Sequence, residues 1–121
     1  MLWNIEYTDE FGEWWDILTE AEKDDVEFVV LLLGERGPTL GYPYSSKIIN
    51  SQYNVRELRI QYQGRPYRVL YAFDPRRTAI LLLGGDKTGD NQWYQRWVPL
   101  AEQLYGKHIE ALQKEGLIPK K

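Results

Sequence analysis

Residues 56–83 read RELRIQYQGRPYRVLYAFDPRRTAILLL, and this stretch decides the fold. In Arg56–Tyr62, Leu58, Ile60 and Tyr62 alternate with Glu57, Arg59 and Gln61, the period of a strand with one apolar face. Gln63-Gly64 is a tight hairpin turn. Residues 65–73 alternate again, with Tyr67, Val69, Tyr71 and Phe73 set against Arg68, Leu70 and Ala72. Asp74-Pro75-Arg76-Arg77 supplies the next turn. Residues 78–83, Thr-Ala-Ile-Leu-Leu-Leu, lack polar alternation, which predicts a central strand covered on both faces and ended by Gly84-Gly85. Three consecutive strands with short connections make an antiparallel meander.

Outward from the meander, residues 2–7 read as a short strand belonging to the same sheet. Thr8 or Asp9 can cap a helix whose Phe11, Trp14, Trp15 and Leu18 share one face. Thr19-Glu20-Ala21-Glu22 is a capping-box pattern that opens a second helix to about Glu35, with Val26, Val29, Val30 and Leu33 inward. Gly34 and Gly37-Pro38 end it. Residues 38–54 have no period and read as an ordered loop. A last helix, capped by Asp90 or Asn91, carries a stripe of Trp93, Trp97, Leu100, Leu104, His108 and Ala111, joined by Ala101 and Leu112. Pro99 should kink or restart it, Gly116 should stop it, and residues 117–121 should fray. The sum is an α+β domain spanning residues 1–121. An antiparallel sheet of about four strands has its apolar face covered by two N-terminal helices and a C-terminal helix, and its other face partly open.

Composition excludes several chemistries. The 121 residues contain no cysteine and one histidine, so disulfides, thiolate metal sites, cysteine nucleophiles and two-histidine zinc sites are ruled out. His108 reads as packing or a local hydrogen bond. No apolar run is long enough for a membrane span and no signal peptide is visible, so the cytoplasm is the expected compartment. The charge is unevenly placed. Residues 1–35 hold eleven acidic and one basic residue, a net −10, whereas residues 36–121 carry a net +7. Such a chain can fold with one face that repels a polyanion and another that attracts it.

Gly84-Gly85-Asp86-Lys87-Thr88-Gly89 invites comparison with a phosphate loop, but that motif needs glycine directly before the lysine and Asp86 stands there. Lys87 remains a strand-end cation able to reach a phosphate. Asp86 and Asp90 read as turn and capping residues. Arg56, Arg59, Arg65, Arg68, Arg76, Arg77, Lys87 and Arg96 are interspersed with Tyr53, Tyr62, Tyr67, Tyr71 and Tyr94, the mixture that grips RNA phosphates and stacks bases. Tyr62, Tyr67 and Tyr71 fall on the apolar side and read as core. Arg59 and Arg68 fall on the open face. Such a set can cleave RNA through attack of a 2′-hydroxyl on the neighbouring phosphate, with cations for the developing charge and a base whose pKa is lowered by them.

Glu57-Leu58-Arg59, Tyr67-Arg68-Val69-Leu70-Tyr71 and Ala79-Ile80-Leu81-Leu82-Leu83-Gly84-Gly85-Asp86-Lys87-Thr88 together resemble the RelE/ParE toxin superfamily, in its HigB-like, phage-derived Gp49-like branch. The resemblance covers about residues 3–112. It implies the toxin of a type II toxin–antitoxin pair, a ribosome-dependent mRNA interferase working without metal or cofactor. It implies a small helix-turn-helix, HigA-like antitoxin as partner. It makes Arg59, Arg68 and Lys87 the expected catalytic residues, with Tyr94 matching more loosely, and leaves Arg56, Arg65, Arg76, Arg77 and Arg96 to hold RNA. Relatives of the same fold that poison DNA gyrase, or that only bind an antitoxin, are the alternative.

Overall fold

The computed structural model describes residues 2–120. One five-stranded sheet runs in the order β1 (Asn4–Tyr7), β5 (Thr78–Asp86), β4 (Arg65–Asp74), β3 (Arg56–Tyr62), β2 (Ser45–Lys47). β1 lies parallel to β5, and every other neighbour is antiparallel. The helices are α1 (Asp9–Asp16), α2 (Glu20–Arg36) and α3 (Trp93–Lys114).

The meander stands as its alternation predicts. Gln63 and Gly64 both have positive φ, 49° and 78°, the geometry of a two-residue turn whose twist matches that of the strands it joins. Ile80 and Leu82 on one face of β5 and Ala79 and Leu81 on the other are all buried, because helices lie against both sides. The strand does not stop at Gly84-Gly85 but runs through both to Asp86. Neither glycine could carry a side chain. A Cβ on Gly84 would lie 2.1 Å from the Trp14 ring on one face, and a Cβ on Gly85 2.9 Å from Trp93 Nε1 on the other. These glycines are packing positions, not terminators.

The caps of α1 and α2 follow the sequence. Thr8 Oγ1 accepts from Phe11 N at 3.0 Å and donates to the Leu82 carbonyl at 2.7 Å, fixing α1 to β5. At Thr19 the full capping box forms, with Glu22 N donating to Thr19 Oγ1 and Thr19 N to Glu22 Oε1. Glu22 also accepts from the phenol of buried Tyr67. Burial and that carboxylate push the Tyr67 pKa up to about 12. α2 continues past Gly34 and ends where Gly37 takes a positive φ beneath Trp3.

Six features depart from the sequence reading. The segment read wholly as loop contributes β2, which pairs Ser45 with Leu58 and Lys47 with Arg56; three residues are too few to show a period. α3 lies on the face of the sheet opposite α1 and α2, so the face expected to stay open is covered over its β4–β5 half. The helix runs unbroken through Pro99, held by Trp93, Ala101, Tyr105 and Leu112, and Ala111 is exposed where Tyr105 is buried. Its start carries no side-chain cap; Asp90 instead accepts from Gln92 N at 3.0 Å. Beyond Gly116 the chain turns back far enough to bury Ile118.

Candidate functional site

Half of the α3-facing side of the sheet is covered, and the half that is not, over β3 and the start of β4, carries charge. Arg59 and Arg68 are direct cross-strand partners. Two arginines so placed repel one another. Glu57, two residues before Arg59 and therefore on the same face, resolves the conflict. Its Oε2 accepts from Arg59 Nη1 at 3.1 Å and from Ser46 Oγ at 2.5 Å, while its Oε1 lies 3.4 Å from Arg68 Nε and accepts from Tyr94 Oη at 2.5 Å. Arg68 also donates Nη1 to the Tyr67 carbonyl at 3.0 Å, and its Nε lies 3.3 Å from Tyr94 Oη.

This cluster draws on four elements: Ser46 from β2, Glu57 and Arg59 from β3, Arg68 from β4 and Tyr94 from the first turn of α3. Glu57 and Arg68 are each only 5% exposed. A buried ion pair is a poor device for stability, because desolvation consumes most of its Coulomb gain. Arg59 keeps a quarter of its side chain in water, so the pair opens to solvent through a second cation. Lys87, at the end of β5, places Nζ 5.6 Å from the centre of the Tyr94 ring and adds a further positive charge at the rim. Burial and the Glu57 carboxylate together raise the Tyr94 pKa, outweighing the opposite pull of Arg68. The phenol therefore keeps its proton at neutral pH. This departs from the expectation that neighbouring cations lower the pKa of a tyrosine base here.

The structure thus brings Arg59, Arg68, Lys87 and Tyr94 together. It places the other arginines elsewhere. Arg56 points to the α2 side, donating to Tyr71 Oη and the Leu40 carbonyl. Arg65 lies on that same side over the Tyr62 and Tyr67 rings, paired with Glu22 and Asp86. Arg76 and Arg77 occupy the β4–β5 turn, roughly 20 Å along β4 from Arg68 by strand rise. There Arg76 binds Asp74 and Glu6, and Arg77 stacks on Trp3. Arg96, half-exposed in the first turn of α3, is held by Asp90 at 2.7 Å. His108 donates Nε2 to Asp74 Oδ2 at 2.9 Å, a hydrogen bond from α3 to the end of β4.

Glu57 is the residue that sequence reading missed as a site group. Its place on the polar side of β3 is readable from alternation, but its burial and its partners are not, because they come from three other elements. A small cleft of about 290 Å³ opens beside the cluster, lined by Tyr42, Pro43, Arg59, Gln61 and Arg68. On the opposite side of the sheet an apolar groove of about 300 Å³, lined by Ile5, Tyr7, Phe11, Trp15, Val30 and Leu81, has Glu27 as its one charged wall residue. Among the described residues no three His, Cys, Asp or Glu side chains come together as metal ligands, and no helix is long and apolar enough to cross a membrane.

Comparison with known proteins places this geometry in a family. The family described as "Phage derived protein Gp49-like (DUF891)" matches residues 13–106. A Mycobacterium tuberculosis protein, the candidate toxin HigB3, is 44% identical over 92 residues, which cover 74% of this chain and 79% of that protein. A second from the same organism, the candidate toxin HigB2, is 36% identical over 110 residues; the match takes in 86% of this chain but only 54% of HigB2. Among solved structures, the isolated E. coli RelE toxin superposes with a TM-score of 0.57 at 11% identity, over 77% of this chain and 93% of RelE. A RelE mutant in the free state gives 0.56 at 11% identity, over 93% and 99%. The fold is RelE's, and the sequence carries the closer relationship: the chain belongs to the Gp49-like family, as a HigB-like member.

Proposed function

We propose that the protein is an mRNA interferase, acting on ribosome-bound mRNA in the cytoplasm and neutralised by a small helix-turn-helix antitoxin of the HigA type. The observation that carries the chemistry is Glu57, a buried carboxylate ringed by Arg59, Arg68 and Tyr94 and open to solvent beside Arg59. The toxin names of the similar M. tuberculosis proteins support the biological role.

The cluster holds each group the reaction needs. An RNA phosphate entering between Arg59 and Arg68 replaces Glu57 as the anion they face, and so releases the carboxylate to act as base. Glu57 takes the proton of the 2′-hydroxyl; the 2′-oxygen forms its bond to phosphorus; the bond from phosphorus to the 5′-oxygen breaks. Arg59, Arg68 and Lys87 balance the charge that builds on the phosphoryl oxygens. Tyr94, which keeps its proton, supplies one to the leaving 5′-oxygen. The products are a 2′,3′-cyclic phosphate and a free 5′-hydroxyl. Every group in this scheme belongs to the chain, so cutting is expected to persist in a chelator. Arg56, Arg65, Arg76 and Arg77 have internal partners and take no part in this scheme.

The test is controlled expression of the wild type and Arg68→Ala in a bacterial host, with mRNA 5′ ends mapped minutes after induction. Cuts inside translated codons are expected from the wild type and not from the variant. Growth arrest without cuts would redirect the function to a protein target such as gyrase. Neither arrest nor cuts, from soluble folded protein, would leave a molecule that only binds its antitoxin.

A further inference from the structure

Tyr42 has no folding role that its surroundings explain. Its ring is 77% exposed, yet the segment that carries it is rigidly held. Tyr44 N and Ser45 N both donate to the Gly41 carbonyl at 3.0 Å, closing a tight turn with Tyr42 and Pro43 at its tip. The Tyr44 carbonyl in turn accepts from the backbone N–H of Arg59 at 2.8 Å. The turn is thus pinned to the residue whose side chain Tyr42 covers: the Arg59 guanidinium lies 5.1 Å from the centre of the Tyr42 ring. An exposed cation–π pair contributes little to stability, so it does not account for a large aromatic held in water by a fixed turn.

The neighbours give the position a use. Tyr42 and Pro43 form one wall of the small cleft whose other walls are Arg59, Gln61 and Arg68. Arg59 and Arg68 are shared with the Glu57 cluster, so the cleft adjoins the place where a phosphate would sit. Aromatic rings and guanidinium planes are the surfaces on which unpaired bases stack. Gln61, exposed on the same strand face as Arg59, offers an amide with both donors and an acceptor, the chemistry that reads a base edge.

We propose that the Tyr42–Pro43 turn, with Arg59 and Gln61, is a nucleobase subsite that stacks one unpaired base of the RNA strand next to the phosphate held by Arg59 and Arg68. This inference rests on the RNA reading above and adds the group that chooses where the strand is cut. Tyr42 supplies the stacking face and Gln61 the edge contact. Base preference at that position belongs to this subsite, not to the Glu57 cluster.

The experiment is a proton–nitrogen NMR titration of the full chain with two probes. One is a 2′-O-methyl trinucleotide, which binds without being cut; the other is the same trinucleotide with its central base removed. The expected result is that the base-bearing probe binds on the order of tenfold more tightly than the abasic one, with amide shifts at Tyr42, Arg59 and Gln61. Tyr42→Ala should erase that gain and Tyr42→Phe should keep it, because a phenyl ring still stacks. Equal affinity of the wild type for both probes, equal weakening of both by Tyr42→Ala, or no binding of either, would each overturn the subsite. The two readings fail separately. Lost base gain alongside Arg68-dependent cutting removes the subsite and leaves the interferase. A Tyr42-dependent base gain in a protein that makes no cuts removes the cleavage and leaves the subsite.

Discussion

At the scale of single residues, the proposed chemistry turns on the division of labour it assigns to Glu57 and Tyr94. Glu57 accepts from three side chains, Tyr94 among them, and is ion-paired with Arg68 as well. Because burial and Glu57 raise the Tyr94 pKa above its usual 10, the phenol is an acid throughout the neutral range. A tyrosinate base would make the rate climb tenfold per pH unit between pH 7 and 9, whereas an acid leaves it flat there. Cleavage of ribosome-bound mRNA is therefore expected to be flat over that interval, and Tyr94→Phe to lower the plateau on the order of 100-fold without changing its shape. Glu57→Gln should cost at least as much while keeping the molecule folded, as judged by circular dichroism. Strand alternation put Arg59 and Arg68 on one face, whereas Tyr94 entered only through a loose match within the family resemblance. Glu57 was not legible as a site group, since its partners lie as far as 37 residues away in the chain and only the sheet register brings them to one carboxylate. Arg56 shows the converse limit. It is a basic residue in the same strand, and a single residue's shift in parity sends it to the other side.

At the scale of elements, β5 is the axis of the molecule. It lies between β1 and β4, with α1 and α2 on one face and α3 on the other. Its two glycines admit Trp14 from one side and Trp93 from the other. The two clashes differ: a Cβ on Gly84 meets Cε3 of the Trp14 indole at 2.1 Å, whereas on Gly85 it touches Trp93 Nε1 at 2.9 Å. Gly84→Ala is expected to destabilise the fold by about 2–3 kcal/mol and Gly85→Ala by about 1 kcal/mol, the usual span for overpacking. Urea denaturation of the two variants measures this order. The sequence showed the meander and both N-terminal helices, where period and capping residues agree. It did not show on which face α3 would lie, because an amphipathic stripe says that a helix has a partner surface and not which one. Nor did it show β2, whose three residues are defined only by their pairing with β3.

At the scale of the whole molecule, one network ties distant parts together away from the site. Asp74 at the end of β4 accepts from Arg76 and lies 2.9 Å from His108 of α3, while Arg76 reaches across to Glu6 of β1. Burial works to raise the Asp74 pKa, but the hydrogen bonds from Arg76 and His108 prevail and hold it below its ordinary 3.8. A carboxylate depressed by folding lends stability that is complete above its unfolded pKa and is lost as pH falls through the folded value. The thermal midpoint should accordingly drop as pH is lowered from 5 to 3. Asp74→Asn should begin lower at pH 7 and lose less over the same interval, and thermal melts at the two ends of the range decide it.

The charge split along the chain becomes a split across the molecule. Asp9, Glu10, Glu13, Asp16, Glu20, Asp24, Asp25, Glu27 and Glu35 are all exposed on the two helices that cover one side of the sheet, and Arg59, Arg68 and Lys87 gather on the other. Arg56 and Arg65 on the helical side offset part of this separation, and the exposed carboxylates that remain give the molecule a dipole across the sheet. Near a nucleic acid the field exerts a torque on it before any contact is made, so encounters are aligned in flight. For the RNA substrate proposed above, collisions that present the helical side would be turned away, and the net negative charge of the chain would act as a compass needle's far pole rather than as a handicap.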